Sequence, residues 1–175
     1  MAICTLNKDI LRSTSCGYSL PEIVDIYIAN YEDISGTTIS AVTTGEDEIT
    51  HIGLASGKTF YHIEPAKNSA SFEDTLVVSD NGSKYRNASI TFNISGTYSK
   101  ELHAALDALS LGRYFVVIKT ADGNYLGLGR IAPLEAETAT LAGGSDNNGL
   151  QITLSGNIAE SPLTLTDAAR DEVIG

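Results

Sequence analysis

A chain of 175 residues, 42% of them hydrophobic, is long enough for one domain with a sizeable core. Its formal net charge of −11 argues against nucleic acid as a bound partner, because neutralising phosphates takes clustered lysine and arginine. Sixteen glycines and eight tyrosines without a single tryptophan suit a strand-rich domain, and apolar runs such as Phe115 to Ile118 are far too short to span a bilayer.

Residues 1–21 carry little periodicity and read as an extended arm that pins itself to the body or to a neighbour. Their first residues, Met1 to Asn7, lack the basic start and long apolar region of a signal peptide, so Cys4 and Cys16 read as reduced thiols. Glu22 to Ala29 is a predicted strand. Val24, Ile26 and Ile28 share one face and Ile23, Tyr27 and Ala29 a partly apolar other, which predicts cover on both sides. Asn30 to Gly36 reads as a turn, Thr37 to Thr43 as a modest strand, and Gly45 to Glu48 as an acidic loop. Ile49 to Leu54 and Lys58 to Glu64 predict two strands around Ala55-Ser56-Gly57. After a loop from Pro65 to Ser71, Phe72 to Ser79 is a strand with Phe72, Leu76, Val77 and Val78 as its apolar residues. Asp80-Asn81-Gly82-Ser83 is a strong turn signal.

Asn87 to Gly129 forms the predicted scaffold. Ala88, Ile90, Phe92 and Ile94 alternate with hydroxyls and an amide, the pattern of a half-buried strand. Ser99 is a candidate N-cap with Glu101 in the first turn, and Leu102, Ala105, Leu106 and Leu109 follow at helical spacing as a core-facing stripe. Gly112 closes this helix. Tyr114 to Lys119 is a strong strand, and Ala121 to Asn124 a tight turn into Tyr125 to Gly129.

Pro133 favours an edge or a bend within Arg130 to Glu137, and Thr138 to Ala142 gives way to the glycine-rich loop Gly143 to Gly149. Leu150 to Gly156 is the last predicted strand, with Leu150, Ile152 and Leu154 inward. Asp167 to Gly175 reads as a frayed helix or a disordered, flexible tail. From Ile131 onward seven acidic residues stand against the single base Arg170. The predicted organisation is an arm (1–21), one β-rich domain (22–166) and the tail (167–175).

Chemistry-bearing patterns are sparse. Cys4 and Cys16 are well separated and His51, His62 and His103 are scattered, which does not suit a zinc site. Asp146-Asn147-Asn148-Gly149 lacks the ligand order and terminal glutamate of a calcium loop. Gly127-Leu128-Gly129-Arg130 follows a hairpin turn within a strand, whereas a phosphate cradle needs its glycines at a helix N-terminus. His103 and Asp107 lie one helical turn apart and read as an exposed polar pair. No acid, base and nucleophile set can be assembled, so no catalytic, metal or cofactor residue is predicted. The three Asn-x-Ser sequons at Asn81, Asn87 and Asn93 read as turn and strand residues.

Several short stretches taken together resemble a known family. They are Cys16-Gly17 leading to Ile26-Tyr27-Ile28-Ala29-Asn30-Tyr31-Glu32-Asp33, then Phe60-Tyr61, Glu64, Ser71, Glu73, Asn81-Gly82, Tyr85 and Ile90-Thr91-Phe92. Val116-Val117-Ile118-Lys119, Asp122 to Gly127, Asn148-Gly149, Ile152 to Gly156 and Pro162 complete the set. In this order, over nearly the whole chain, they resemble virion structural proteins of tailed phages of Bacteroidota, the crAss-like group included, related to tail tube and ring subunits. The chain departs from the family pattern at Cys16-Gly17-Tyr18-Ser19, where a glycine pair would precede the first strand.

The resemblance implies a mainly β fold, an antiparallel β-sandwich or barrel with one α-helix. It implies a virion structural protein, not an enzyme, made in the host bacterial cytoplasm. It would form a symmetric ring with itself, sixfold or twelvefold, in the tail or head–tail junction. Neighbouring tail or connector proteins are its implied partners, and DNA passes through the ring without specific binding. Phe72, Leu76, Val77, Val78 and Tyr85 of the hairpin, with Leu6 and Ile10 of the arm, are the expected subunit-interface residues. The competing expectation is a carbohydrate- or receptor-binding β-sandwich, but without tryptophan and with Tyr27, Tyr61, Tyr114 and Tyr125 in strands, an aromatic binding groove is harder to build.

Overall fold

The computed structural model describes residues 22–40, 47–95, 100–143 and 149–175. The arm with Leu6, Ile10 and both cysteines, the cap at Ser99, most of the glycine-rich loop and the side chain of Leu102 lie outside the described set. Strands β1 (Ile23–Asn30), β2 (Ile34–Ile39), β3 (Glu48–Leu54), β4 (Tyr61–Ile63), β5 (Ser71–Val78) and β6 (Lys84–Ile94) come first. Helix α1 (Lys100–Leu111) follows, then β7 (Arg113–Thr120), β8 (Tyr125–Leu128), β9 (Leu134–Ala142), β10 (Gly149–Ile158) and β11 (Leu163–Leu165), and helix α2 (Asp167–Ile174) ends the chain. The protein is mainly β. All eleven strands belong to one sheet, ordered β2-β3-β11-β8-β7-β9-β10-β6-β5, with β1 on β7 and β4 on β1. Among the described residues the sheet is open, ending at β2 and β5 and, on its β1 branch, at β4, and it is mixed because β11 runs parallel to β3.

β7 is the hub. It pairs with β1 on one edge and with β8 and the start of β9 on the other. Tyr114 to Ile118 is buried on both faces, the expected outcome for so apolar a run. One face carries Val116 and Ile118, which meet Ile26 and Ile28 of β1 and Ile90, Phe92, Ile152 and Leu154 of β6 and β10 in the larger core. The other carries Phe115 and Val117, which pack with Tyr27, Ile49, Ile52, Tyr125 and two residues of α2.

At Ile23/Asp25 a register irregularity interrupts the pairing of β1 with β7. An extra residue there changes which face the next side chain takes. Ile23 consequently joins Ile26 and Ile28 in the larger core and Val24 is exposed, which alters the expected division of faces.

The chain leaves one wing of the sheet for the other between β8 and β9. Gly129 makes this bend at φ +85°, where a Cβ would stand 3.0 Å from the Tyr114 carbonyl oxygen. A left-handed conformation and close backbone approach both favour glycine. Gly129→Ala is expected to cost about 1–3 kcal/mol, read as a lowered urea midpoint with unchanged slope.

Two regions differ from the expectation of one helix and a loose tail. Residues 167–174 form a second helix. The Thr166 hydroxyl caps it by accepting from the Ala169 N–H, and Ala169 and Val173, one turn apart, are buried. Helix α1 is only partly a core element: Leu109 is buried and Leu106 half-buried, but Ala105 is exposed. Its stripe overhangs β4 and leaves a 440 Å³ groove lined by Ile28, Tyr61, Ile63, Ala105 and Leu109 among others. Among the described residues no helix is long and apolar enough to cross a membrane.

Candidate assembly surface

The strand register sorts the β9-β10-β6-β5 wing into two unlike faces. Ala88, Ile90 and Phe92 of β6 and Leu150, Ile152 and Leu154 of β10 point into the core. Their neighbours point away, and cross-strand partners share a face. The outward face therefore carries Thr138 and Thr140 of β9, Gln151, Thr153, Ser155 and Asn157 of β10, and Asn87, Ser89, Thr91 and Asn93 of β6. Ser71, Glu73, Thr75 and Val77 of β5 extend it, with Glu135 at the other margin and Tyr85 opposite Val77. Side chains tie the strands together: the Thr91 and Thr153 hydroxyls lie 2.9 Å apart, and Asn87 Nδ2 donates to Asn157 Oδ1 at 3.0 Å. No lysine or arginine stands among these outward positions, because the two cations of β6, Lys84 and Arg86, alternate to the opposite face.

That opposite face outruns the core at its β5 end. Phe72, Leu76 and Val78 are 38%, 54% and 58% exposed although they continue the side that buries Ile90. Between them the Asp74 carboxylate, 9% exposed, binds Arg86 through Oδ2 at 2.5 Å from the guanidinium. The hydrogen bond that Arg86 donates to Asp74 raises the Arg86 pKa above its ordinary value. Among the described residues, β5 pairs with β6 alone, so its outer backbone edge is open.

The expected interface residues thus divide. Phe72, Leu76 and Val78 form an exposed apolar strip on one face, and half-buried Val77 and Tyr85 belong to the other. Of the four tyrosines placed in strands, Tyr27, Tyr114 and Tyr125 are buried and only Tyr61 is well exposed.

A polar cluster that sequence reading did not assemble sits on β1, β4 and β7. Asp25 Oδ1 lies 2.8 Å from His62 Nε2, and Lys119 Nζ donates to Asp25 Oδ2 at 2.9 Å. The His62 ring stacks on Tyr27 with centroids 4.9 Å apart. Burial raises the Asp25 pKa, but the hydrogen bonds of His62 and Lys119 outweigh it and hold the carboxyl below its ordinary value. Only strand register brings these residues together, as in the pairings Asp25↔Lys119 and Tyr27↔His62. Among the described residues no nucleophilic serine, threonine or cysteine joins the hydrogen bonds of the cluster, and we read it as a strand clamp. His51 similarly meets Glu172 of α2 at 2.6 Å, while His103 and Asp107 are both exposed on α1. Among the described residues no group of three or more His, Cys, Asp or Glu is placed to hold a metal ion.

The clamp has a testable pH dependence. A carboxyl held below its ordinary pKa contributes stability above that value and loses it as pH falls through the folded-state value. The urea midpoint is expected to drop on acidification below 3.8, the ordinary aspartate value. Asp25→Asn should flatten that part of the profile.

Comparison with protein-family models, curated proteins and solved structures finds no match to this chain.

Proposed function

We propose that this chain is a virion structural subunit that assembles with itself into a ring or tube around the DNA channel of a phage tail or head–tail junction. The observation that carries the reading is the broad outward face of β9-β10-β6-β5. It presents hydroxyls, amides and carboxylates and no lysine or arginine. Such a surface suits the wall of a channel for a polyanion, since it offers phosphates nothing to pair with and repels them within a Debye length of about 8 Å. The open β5 edge and the exposed Phe72, Leu76 and Val78 support self-association, because an unpaired edge beside apolar side chains is a template for another strand. The resemblance to tail tube and ring subunits agrees with both features. Catalysis forms no part of the reading.

The test is assembly and wall character in one preparation. Purified protein is expected to give rings or stacked tubes in negative stain and an oligomer in sedimentation, and to leave duplex DNA unretained at low salt. The double variant Gln151→Lys with Thr153→Lys should gain salt-sensitive DNA binding while still assembling. A monodisperse monomer at every concentration tried would overturn the reading, and glycan binding by that monomer would favour the adhesive alternative.

A further inference from the structure

Resting on the assembly reading above, we propose that β5 of one copy pairs edge to edge with β2 of a second copy, continuing the sheet head to tail. Among the described residues these two strands terminate the long run of the sheet order and each pairs on one side only; the remaining edge, β4 on the β1 branch, is only three residues long. Their compositions differ in a way that selects the partner. β5 carries two acids at its middle, Glu73 and Asp74, in the run Ser-Phe-Glu-Asp-Thr-Leu-Val-Val. Were two β5 strands to pair antiparallel about their common centre, Asp74 would face Thr75 and each Glu73 would stand diagonally across from the Arg86-paired Asp74 of the other strand. Like charges at such spacing destabilise a strand pair.

β2 has the complementary character. Its sequence, Ile-Ser-Gly-Thr-Thr-Ile, holds no charge, so nothing on it opposes Glu73. Four of its six residues, Ile34, Thr37, Thr38 and Ile39, are β-branched and stand at exposed or half-buried positions, which favours extended pairing. Acid on one edge and none on the other thus disfavours the β5–β5 contact and permits the unlike one, a form of partner choice by repulsion. Because β5 and β2 are different surfaces, the contact is heterologous, and a heterologous contact closes into a ring or continues as a helix. This names the surface through which a ring subunit meets its neighbour.

Thr75 is exposed near the middle of β5 and Thr38 is exposed one residue from the end of the short β2, so with the strands centred on each other they come within reach of a short crosslinker whichever way the strands run. With Cys4→Ser and Cys16→Ser removing the native thiols, Thr75→Cys and Thr38→Cys are made as two separate proteins, one lengthened by a tag. They are mixed before assembly and treated with a short bis-maleimide. The expected result is a crosslinked dimer of mixed size in the mixture and none from either protein alone. A dimer from Thr75→Cys alone or from Thr38→Cys alone would replace the proposed pairing with a symmetric one. Oligomers by sedimentation with no mixed crosslink would overturn the β5–β2 pairing and leave the assembly reading standing, whereas a chain that remains monomeric would sink both.

Discussion

Removal of residues 163–175 is expected to loosen the β2–β3 hairpin, leaving Ile49 and Ile52 only their packing on Tyr27, Phe115, Val117 and Tyr125. Among the described residues β3 pairs with β2 and β11 alone, so the three residues of β11 are the ladder that joins the hairpin to β8. α2 adds the second attachment. Ala169 and Val173 pack with Ile49 and Ile52 in the smaller core. Glu172 grips β3 with both oxygens, accepting from the Ile52 N–H at 2.8 Å and meeting His51 Nδ1 at 2.6 Å. Loss of the segment strips all of this at once and opens the edge of β8. Hydrogen exchange checks it: amides of 34–39 and 48–54 should exchange as unprotected groups, while β6 and β10 stay slow. Glu172→Ala alone should raise exchange at Ile52 and its neighbours and leave the hairpin attached.

Phe92→Ala should be the most damaging single substitution in the larger core. Phe92 is fully buried, opposite Ile152 of β10 in the ladder, and packs in the core with residues from both wings. Deleting such a side chain removes its transfer free energy and leaves a cavity, together about 3–5 kcal/mol. Phe72 supplies the contrast. It stands on the same side of the same wing but is 38% exposed, so Phe72→Ala should cost less than about 1 kcal/mol of folding stability while weakening assembly. Urea denaturation measures the first effect and sedimentation the second. If Phe72 proved as costly to folding as Phe92, the apolar strip would belong to the core and not to a neighbour.

Much of the sheet was legible in the sequence because period-2 alternation is a local signal. Ala88, Ile90, Phe92 and Ile94 announced their strand, as did Leu150, Ile152 and Leu154, and six of these seven are among the most buried residues. Helix α1 was legible as a helix, but its role was not. Apolar spacing locates a stripe without saying whether the sheet beneath extends far enough to cover it, and β4, only three residues long, leaves Ala105 uncovered. β11 and α2 were harder to see. Leu163-Thr164-Leu165 is too short for a periodicity, and its strand character comes from the slot between β3 and β8. In α2 the apolar pair Ala169 and Val173 is nearly hidden among acids, with Thr166 as the one local start signal. The Asp25–His62–Lys119 clamp had no sequence signature, since its members come from three strands and meet only through register. The outward polar face was readable strand by strand, but its freedom from cations emerges only when four registers are laid side by side.

The parallel pairing of β11 with β3 also imposes an order of events. Thr164 and Glu48, partners in that ladder, are 116 residues apart in the chain. Contacts of such separation pay their loop-closure entropy late. On a ribosome β2 and β3 are made first and must wait, without their third strand, until β11 has been made. Only then does that segment slide into the slot and fix β2 in place. If β2 is the surface that receives a neighbour, a chain that has not reached β11 has no finished receiving edge. Under the proposed assembly, synthesis of β11 and α2 then acts as a licence, keeping partly made subunits out of a ring.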